Sequence, residues 1–397
     1  MLVGVPKENY PSERRVALVP SVLPLLASIG LEVGVEQGAG ISAGFPDVAY
    51  KEHGAKIFSD RSKLFSSSQI LLRVRNPGKD GISTSSTDAD SFNSNQLLIG
   101  LLDPLGSPEM VSYLASQGIT SFALELLPRI SRAQSMDALT AMATVAGYKS
   151  VLLAADISPK MYPMMITAAG TIAPVRVLVV GAGVAGLQAI ATARRLGAVV
   201  YSYDVRPAVK EQVESLGARF LELDLETDHA EGVGGYARAM DANFYNRQAE
   251  LMAEAMAESD VVITTAAVPG RQAPMLITEE AVRGMQPGSV IIDLAAETGG
   301  NCQVTLPGER VEVHGVTVVG PVNLPSTVPY HASQMFAKNL TAFLKNLVFE
   351  SEVRLDTSDP VIGESLLTHQ GEVVNSRVRD ILGLDTMTSV SNEGSEP

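Results

Sequence analysis

The feature that most constrains this chain is a six-residue turn, Gly181-Ala182-Gly183-Val184-Ala185-Gly186, set between two apolar segments of different periodicity. Before it, Val177-Leu178-Val179-Val180 reads as a fully buried strand. After it, Leu187-Gln188-Ala189-Ile190-Ala191-Thr192-Ala193 reads as a helix. A strand that turns straight into a helix needs a first glycine for the tight turn. The second glycine lets the backbone come close to a pyrophosphate, and the third lets the helix pack against the strand. The helix N-terminus then offers N–H donors and a positive dipole to the diphosphate. The next apolar run, Val199–Tyr203, ends at Asp204, 18 positions past Gly186, where a ribose-binding carboxylate belongs. The residues from Gly181 to Gly186, with Asp204, Val205 and Arg206, therefore form a candidate dinucleotide site. A carboxylate there repels a 2′-phosphate and favours NAD over NADP, while Arg206 nearby leaves that preference open. The competing reading is a domain of this shape that has lost its nucleotide.

The rest of the chain repeats the same alternation. Leu2–Val5, Leu31–Glu36, Ile70–Val74, Gln96–Leu102 and Ile119–Leu124 read as strands, with amphipathic stretches such as Pro20–Ile29 between them. A second series follows: Val175–Val180, Val199–Tyr203, Phe220–Leu223, Val261–Thr265, Val290–Leu294 and Val316–Val319. Such alternation implies an α/β fold of two doubly wound, Rossmann-like parallel-sheet domains. Ala133–Ala155 and His331–Phe349 read as long helices joining them. The expected boundaries are 1–135 with 335–397 for the first domain, and 136–334 for the nucleotide-binding one. Ligands in such sheets sit at strand C-termini, which adds Thr265, Ala266 and the turn residue Gly270 to the candidate site. Asp224–Asn246 is polar, contains glycine and is long for a loop, as mobile lids are. Met164-Met165 reads as core.

Composition removes several function classes. A formal net charge of -14 argues against a nucleic-acid partner, which would need clustered Lys and Arg. A single cysteine, Cys302, excludes an internal disulfide and a cysteine metal cluster, and the five scattered histidines have no ligand spacing. No metal site is expected. The N-terminus shows no signal-peptide pattern. The most apolar window, Val177–Ala193, is interrupted by glycines and fits a buried strand and helix better than a membrane span.

Over nearly its whole length the sequence resembles a known family. Val3-Gly4-Val5-Pro6-Lys7-Glu8 through Arg15-Val16-Ala17 resembles the shared start of alanine dehydrogenases and transhydrogenase NAD(H)-binding subunits. The segment Glu125-Leu126-Leu127-Pro128-Arg129-Ile130-Ser131-Arg132-Ala133-Gln134-Ser135-Met136-Asp137 is similar to a loop in the NAD(H)-binding component of proton-translocating NAD(P) transhydrogenase. Ala169-Gly170-Thr171 and Gly234-Gly235-Tyr236 agree with it. The resemblance implies that Arg129, Gln134 and Asp137, with Thr140, serve the nicotinamide end of the nucleotide. It also implies that Gly235 and Tyr236 belong to a loop closing over it. It further implies NAD as cofactor, a homodimer, and partner subunits that bind NADP(H) and span the membrane. The chain itself would be cytoplasmic, peripheral to the inner membrane.

Chemistry bears on the choice between the two relatives. Reductive amination of a keto acid needs a proton donor beside the hydride-transfer site. Alanine dehydrogenases use a lysine, a histidine and an aspartate, alongside an N-terminal arginine. Here Arg15 is present, but those three positions read Arg75, Asp103 and Glu297. An arginine does not deprotonate near neutral pH, and an ordinary aspartate is ionised there. Direct transfer between two nicotinamide rings needs orientation and exclusion of water, and no acid or base. The transhydrogenase reading therefore leads. An alanine-dehydrogenase-like enzyme and a non-catalytic NAD(H)-binding module are the alternatives.

Overall fold

The computed structural model describes residues 1–76, 78, 91–223, 242–267 and 270–385, with the backbone alone at 242–246 and 249. The chain divides into two compact units, Met1–Leu139 with Pro329–Pro397, and Thr140–Val328.

The first unit is built on an eight-stranded sheet. Across it run Glu372–Val373, Leu366–His369, Thr120–Ala123, Leu97–Leu101, Ile70–Arg75, Leu2–Val5, Glu32–Glu36 and Lys56–Phe58. The six strands nearest the N-terminus in sequence pair in parallel, so the chain returns to the middle of the sheet after its third strand. Both faces of a parallel sheet are covered, which is why Val3, Val5, Ile70, Leu71, Leu72 and Ile99 are all fully buried.

The second unit repeats this order in seven strands: Arg219–Phe220, Val199–Tyr203, Arg176–Val180, Val261–Thr264, Val290–Asp293, Val316–Val319 and Arg310–Val313. Its core gathers Val177, Val179, Val261, Ile263, Val290 and Ile292 from one face of the sheet. Two mainly parallel, doubly wound sheets are what the sequence alternation implies. Each sheet also carries antiparallel pairing that the alternation does not predict. Leu366–His369 turns back through Gln370 and Gly371, and Arg310–Val313 turns into Val316–Val319 through His314 and Gly315. All four turn residues have positive φ (50°, 85°, 54° and 78°), the backbone of a tight two-residue hairpin.

The helix expected from Ala133 begins later. Ser131–Met136 forms a 3-10 turn, Asp137 leaves helical geometry at ψ 86°, and the α-helix proper runs Ala138–Ile157. By length and apolarity this helix, more than the 177–193 window, is long enough to cross a membrane. In the structure its Val151 and Ala154 are fully buried against Val175, Val177 and Val179, the packing of a core helix. Its one glycine has a steric reason: a Cβ on Gly147 would lie 2.1 Å from the carbonyl oxygen of Ala185. The second long helix runs Pro329–Leu347, starting on the proline whose missing N–H suits a first turn.

Met164 and Met165 are not core. They are 59% and 40% exposed, at the start of a two-stranded hairpin, Met165–Thr167 with Gly170–Ile172, whose residues are all exposed. A ribbon of two short strands has no covered face in which to bury them.

Candidate functional site

In the second unit the glycine turn has the geometry its sequence implies. Gly181 sits at φ 96°, and a Cβ there would lie 2.6 Å from Thr265 Oγ1 and 3.3 Å from Ala266 N. A Cβ on Gly186 would lie 1.8 Å from the carbonyl oxygen of Gly181, so helix and turn touch backbone to backbone. Gly183 differs from both, because a Cβ built on it meets nothing within 4 Å. The helix Val184–Arg195 starts from Gly183 with no side chain capping it. Its first-turn N–H groups, including those of Val184 and Ala185, have no intrahelical partner and border that open space. A turn closed on two sides and open on the third is a cradle that fits a diphosphate.

Asp204 is buried at the end of Val199–Tyr203, and both of its oxygens are engaged. Oδ2 accepts the Ala182 N–H at 2.7 Å and Arg206 Nη2 at 2.7 Å. Oδ1 accepts the Arg206 backbone N–H and Nε, each at 2.9 Å. Sequence reasoning placed Arg206 merely nearby; the structure makes it a bidentate partner. The pair is electrically balanced, so repulsion of a 2′-phosphate is weaker than a lone carboxylate would give. Val205 packs against the core on the Met252 and Met256 side of the sheet.

Thr265 and Ala266 follow Val261–Thr264 and form the wall of the turn, with Thr265 Oγ1 donating to the Gly181 carbonyl at 3.1 Å. Gly270 is an exposed turn residue at φ 73°. Behind this wall lie two residues that sequence reasoning missed, Asp293 and Asn301. Asp293 is fully buried and accepts from Thr264 Oγ1, the backbone N–H groups of Ala295, Asn301 and Cys302, and Thr305 Oγ1. The Gly299-Gly300-Asn301 bend is the sequence signal that would have found them.

The first unit carries the loop singled out in the sequence. Ala133 and Met136 are buried and anchor the 3-10 turn, while Arg129 and Gln134 are exposed and Asp137 is half-buried. Asn339 Nδ2 donates to the Ser135 carbonyl at 2.9 Å. Arg132 pairs with Asp359, which caps the helix Pro360–Ser365. The loop backbone is thus fixed from two sides, with Arg129 and Gln134 turned outward. Thr140 lies on the long helix within the second unit. Gly235 and Tyr236 lie outside the described residues.

The positions bearing on acid–base chemistry are engaged. Arg15 makes a two-pronged ion pair with buried Glu13 at 2.8 and 2.7 Å, and Arg75 lies 3.6 Å from the same carboxylate. Glu297 accepts the Asn323 N–H at 3.1 Å. Asp103, at φ 50°, donates its N–H to Glu125 Oε1 at 2.5 Å. Burial pushes the Glu125 carboxyl up to about 7, and its Oε2 is enclosed without a hydrogen-bond partner. Glu125 stands inside the quoted loop motif, yet nothing in its spacing signals that it titrates near neutrality.

With this geometry in hand, the chain can be set beside known proteins. The alanine dehydrogenase/PNT N-terminal domain model matches residues 4–146, and the corresponding C-terminal domain model matches residues 150–376. The chain belongs to the alanine dehydrogenase/PNT family. Within that family it lies on the transhydrogenase side. It is 45% identical over 386 residues to an NAD(P) transhydrogenase subunit alpha chain of Rhodospirillum rubrum, covering 94% of this chain and 98% of that one. The crystal structure of transhydrogenase from Sinorhizobium meliloti superposes with a TM-score of 0.81 at 41% identity, over 95% of this chain and 99% of that one. An L-alanine dehydrogenase structure superposes nearly as well, with a TM-score of 0.79 over 96% and 99% of the two chains, but at 27% identity. Fold is shared across the whole alanine dehydrogenase/PNT family, and sequence separates its branches.

Proposed function

We propose that this chain is the NAD(H)-binding subunit of a proton-translocating NAD(P) transhydrogenase, passing hydride between NADH and NADP held on a partner subunit. The observation that carries this reading is the 45% identity to a transhydrogenase alpha subunit across 94% of the chain. The loss of the lysine and histidine that a keto-acid dehydrogenase would use, replaced here by Arg75 and Asp103, supports it.

On this reading residues 136–334 form the NAD-binding domain, and 1–135 with 335–397 the first domain. The Gly181–Gly186 backbone cradles the pyrophosphate, and Asp204 with Val205 and Arg206 holds the adenosine ribose. Thr265, Ala266 and Gly270 line the pocket beside the turn. Arg129, Gln134, Asp137 and Thr140 orient the nicotinamide end, and Gly235 and Tyr236 help close the site. The nicotinamide supplies the hydride when bound. The protein's own task is to fix its orientation and keep water away, which can lower a barrier substantially without any acid or base. Partners on this reading are an NADP(H)-binding subunit, a membrane subunit and a second copy of this chain. The protein would be peripheral to the inner membrane on the cytoplasmic side.

The test is to mix the purified chain with an NADP(H)-binding partner subunit and follow hydride exchange between NADH and an oxidised nucleotide analogue. Exchange that depends on both proteins is expected. No exchange with a competent partner, or robust oxidation of L-alanine by the chain alone, would overturn the proposal.

A further inference from the structure

We propose that Asn301 is a positioning residue that holds Thr265 and Ala266 against the glycine turn, in the conformation in which the turn accepts the nucleotide. The proposal rests on the nucleotide-binding reading above. The strand Val261–Thr264 ends one residue before this wall, so the N–H and C=O of Ala266 lie beyond the sheet ladder. The Asn301 carboxamide supplies the missing pairing. Its Oδ1 accepts the Ala266 N–H at 3.1 Å, and its Nδ2 donates to the Ala266 carbonyl at 2.8 Å. Nδ2 also donates to the Pro274 carbonyl at 2.8 Å, so one side chain grips the backbone at both positions.

The amide is itself immobilised. Asn301 is fully buried, its N–H donates to Asp293 Oδ2 at 2.8 Å, and its carbonyl accepts the Leu276 and Ile277 N–H groups, each at 2.9 Å. Asp293 in turn ties Thr264, Ala295, Cys302 and Thr305 to one carboxylate. The wall therefore has a rigid frame behind it. It faces the position where Gly181 can bear no side chain, and a small shift of Ala266 would alter the cradle. No side chain but a carboxamide offers one acceptor and two donors in this arrangement. An aspartate keeps the volume and the acceptor, but sets oxygen against two carbonyls.

The test uses the full chain with Asn301→Ala and Asn301→Asp. Three readouts are NADH affinity by fluorescence titration, tryptic cleavage of the exposed Arg271–Gln272 bond followed by mass spectrometry, and the thermal transition. Both variants are expected to weaken NADH binding at least about tenfold and to speed cleavage after Arg271 several-fold, with a cooperative transition retained. Asp should do no better than Ala, which separates the donors from mere volume. Faster cleavage with unchanged NADH affinity would overturn the positioning role and leave a structural one. No change in either would overturn the contact's importance altogether. If neither variant folds, hydrogen exchange on the unsubstituted chain decides: NADH should slow exchange at the Ala266 amide, and an unchanged rate would overturn the proposal. A wild-type chain that binds no NADH would instead sink the functional reading, a result visible before any variant is made.

Discussion

The two sheets share one topology and differ at one place. In each, the first strand lies between the second and the fourth, and the crevice beyond the first and fourth strands is where ligands enter open α/β sheets. In the second unit that crevice holds the glycine turn, with Thr265 as its wall and open space over Gly183. In the first unit, Leu2–Val5 runs into Pro6-Lys7-Glu8 and the crevice is filled. Glu8 Oε1 accepts the Val74 N–H at 2.7 Å, its Oε2 lies 3.2 Å from Arg73 Nη2, and Asn9 accepts from Arg73 at 2.7 Å. The Arg73 and Glu8 side chains are 0% and 2% exposed. Burial pushes the Glu8 carboxyl up while Arg73 pulls it down. One fold thus gives a nucleotide cradle where glycines leave room, and a plugged crevice where an acid and an arginine meet. Topology offers a site, and a handful of side chains decides whether it stays empty.

That contrast can be attacked directly. Arg73→Ala leaves Glu8 enclosed without its cation, and breaking such a pair costs about 3–5 kcal/mol. Urea denaturation should show that loss, and a change below about 1 kcal/mol would mean the plug is not a structural element. Asp204→Ala removes the acceptor of Ala182 and the partner of Arg206. NADH affinity should fall about 10- to 100-fold, and the gap between NADH and NADPH should narrow, since Arg206 is released. Calorimetric titration with both nucleotides checks this. Gly183→Ala puts a methyl group into space that is empty in the protein. The thermal midpoint should hardly move while NADH binding weakens about tenfold; a large loss of stability would show the space to be needed by the fold itself.

The smallest effect belongs to Glu125. Its folded pKa of about 7 lies above its ordinary value of 4.5, so the folded protein holds that proton more tightly than the unfolded chain. The stability it contributes is present below about 4.5 and is lost as pH rises through about 7. Glu125→Gln should therefore gain on the wild type between pH 5 and pH 8, by about 1 kcal/mol. Parallel denaturation curves at the two pH values would remove Glu125 from the account.

Much of this was legible in the sequence because periodicity reports burial. The eleven strands read from apolar runs all appear, and each has at least one buried face. Lys56–Phe58 was missed, since a three-residue edge strand with no fully buried residue leaves little pattern to detect. The hairpin turns at His314-Gly315 and Gln370-Gly371 were readable from their glycines and were passed over. At the site, glycines announce themselves because their reason is local, as at Gly181 and Gly186. The reach of Asn301 across 35 positions to Ala266, and of Glu13 to Arg75, depends on chain segments that only folding brings together. The same limit hid the full engagement of Asp204.

That engagement has a kinetic side. An incoming ribose does not meet an idle carboxylate; it must trade places with donors that already satisfy Asp204. Binding there is an exchange of one set of hydrogen bonds for another, and only their difference holds the nucleotide. For a protein that releases its spent cofactor in every catalytic round, such a grip favours turnover over retention, and Arg206 restores the resting state as each nucleotide leaves.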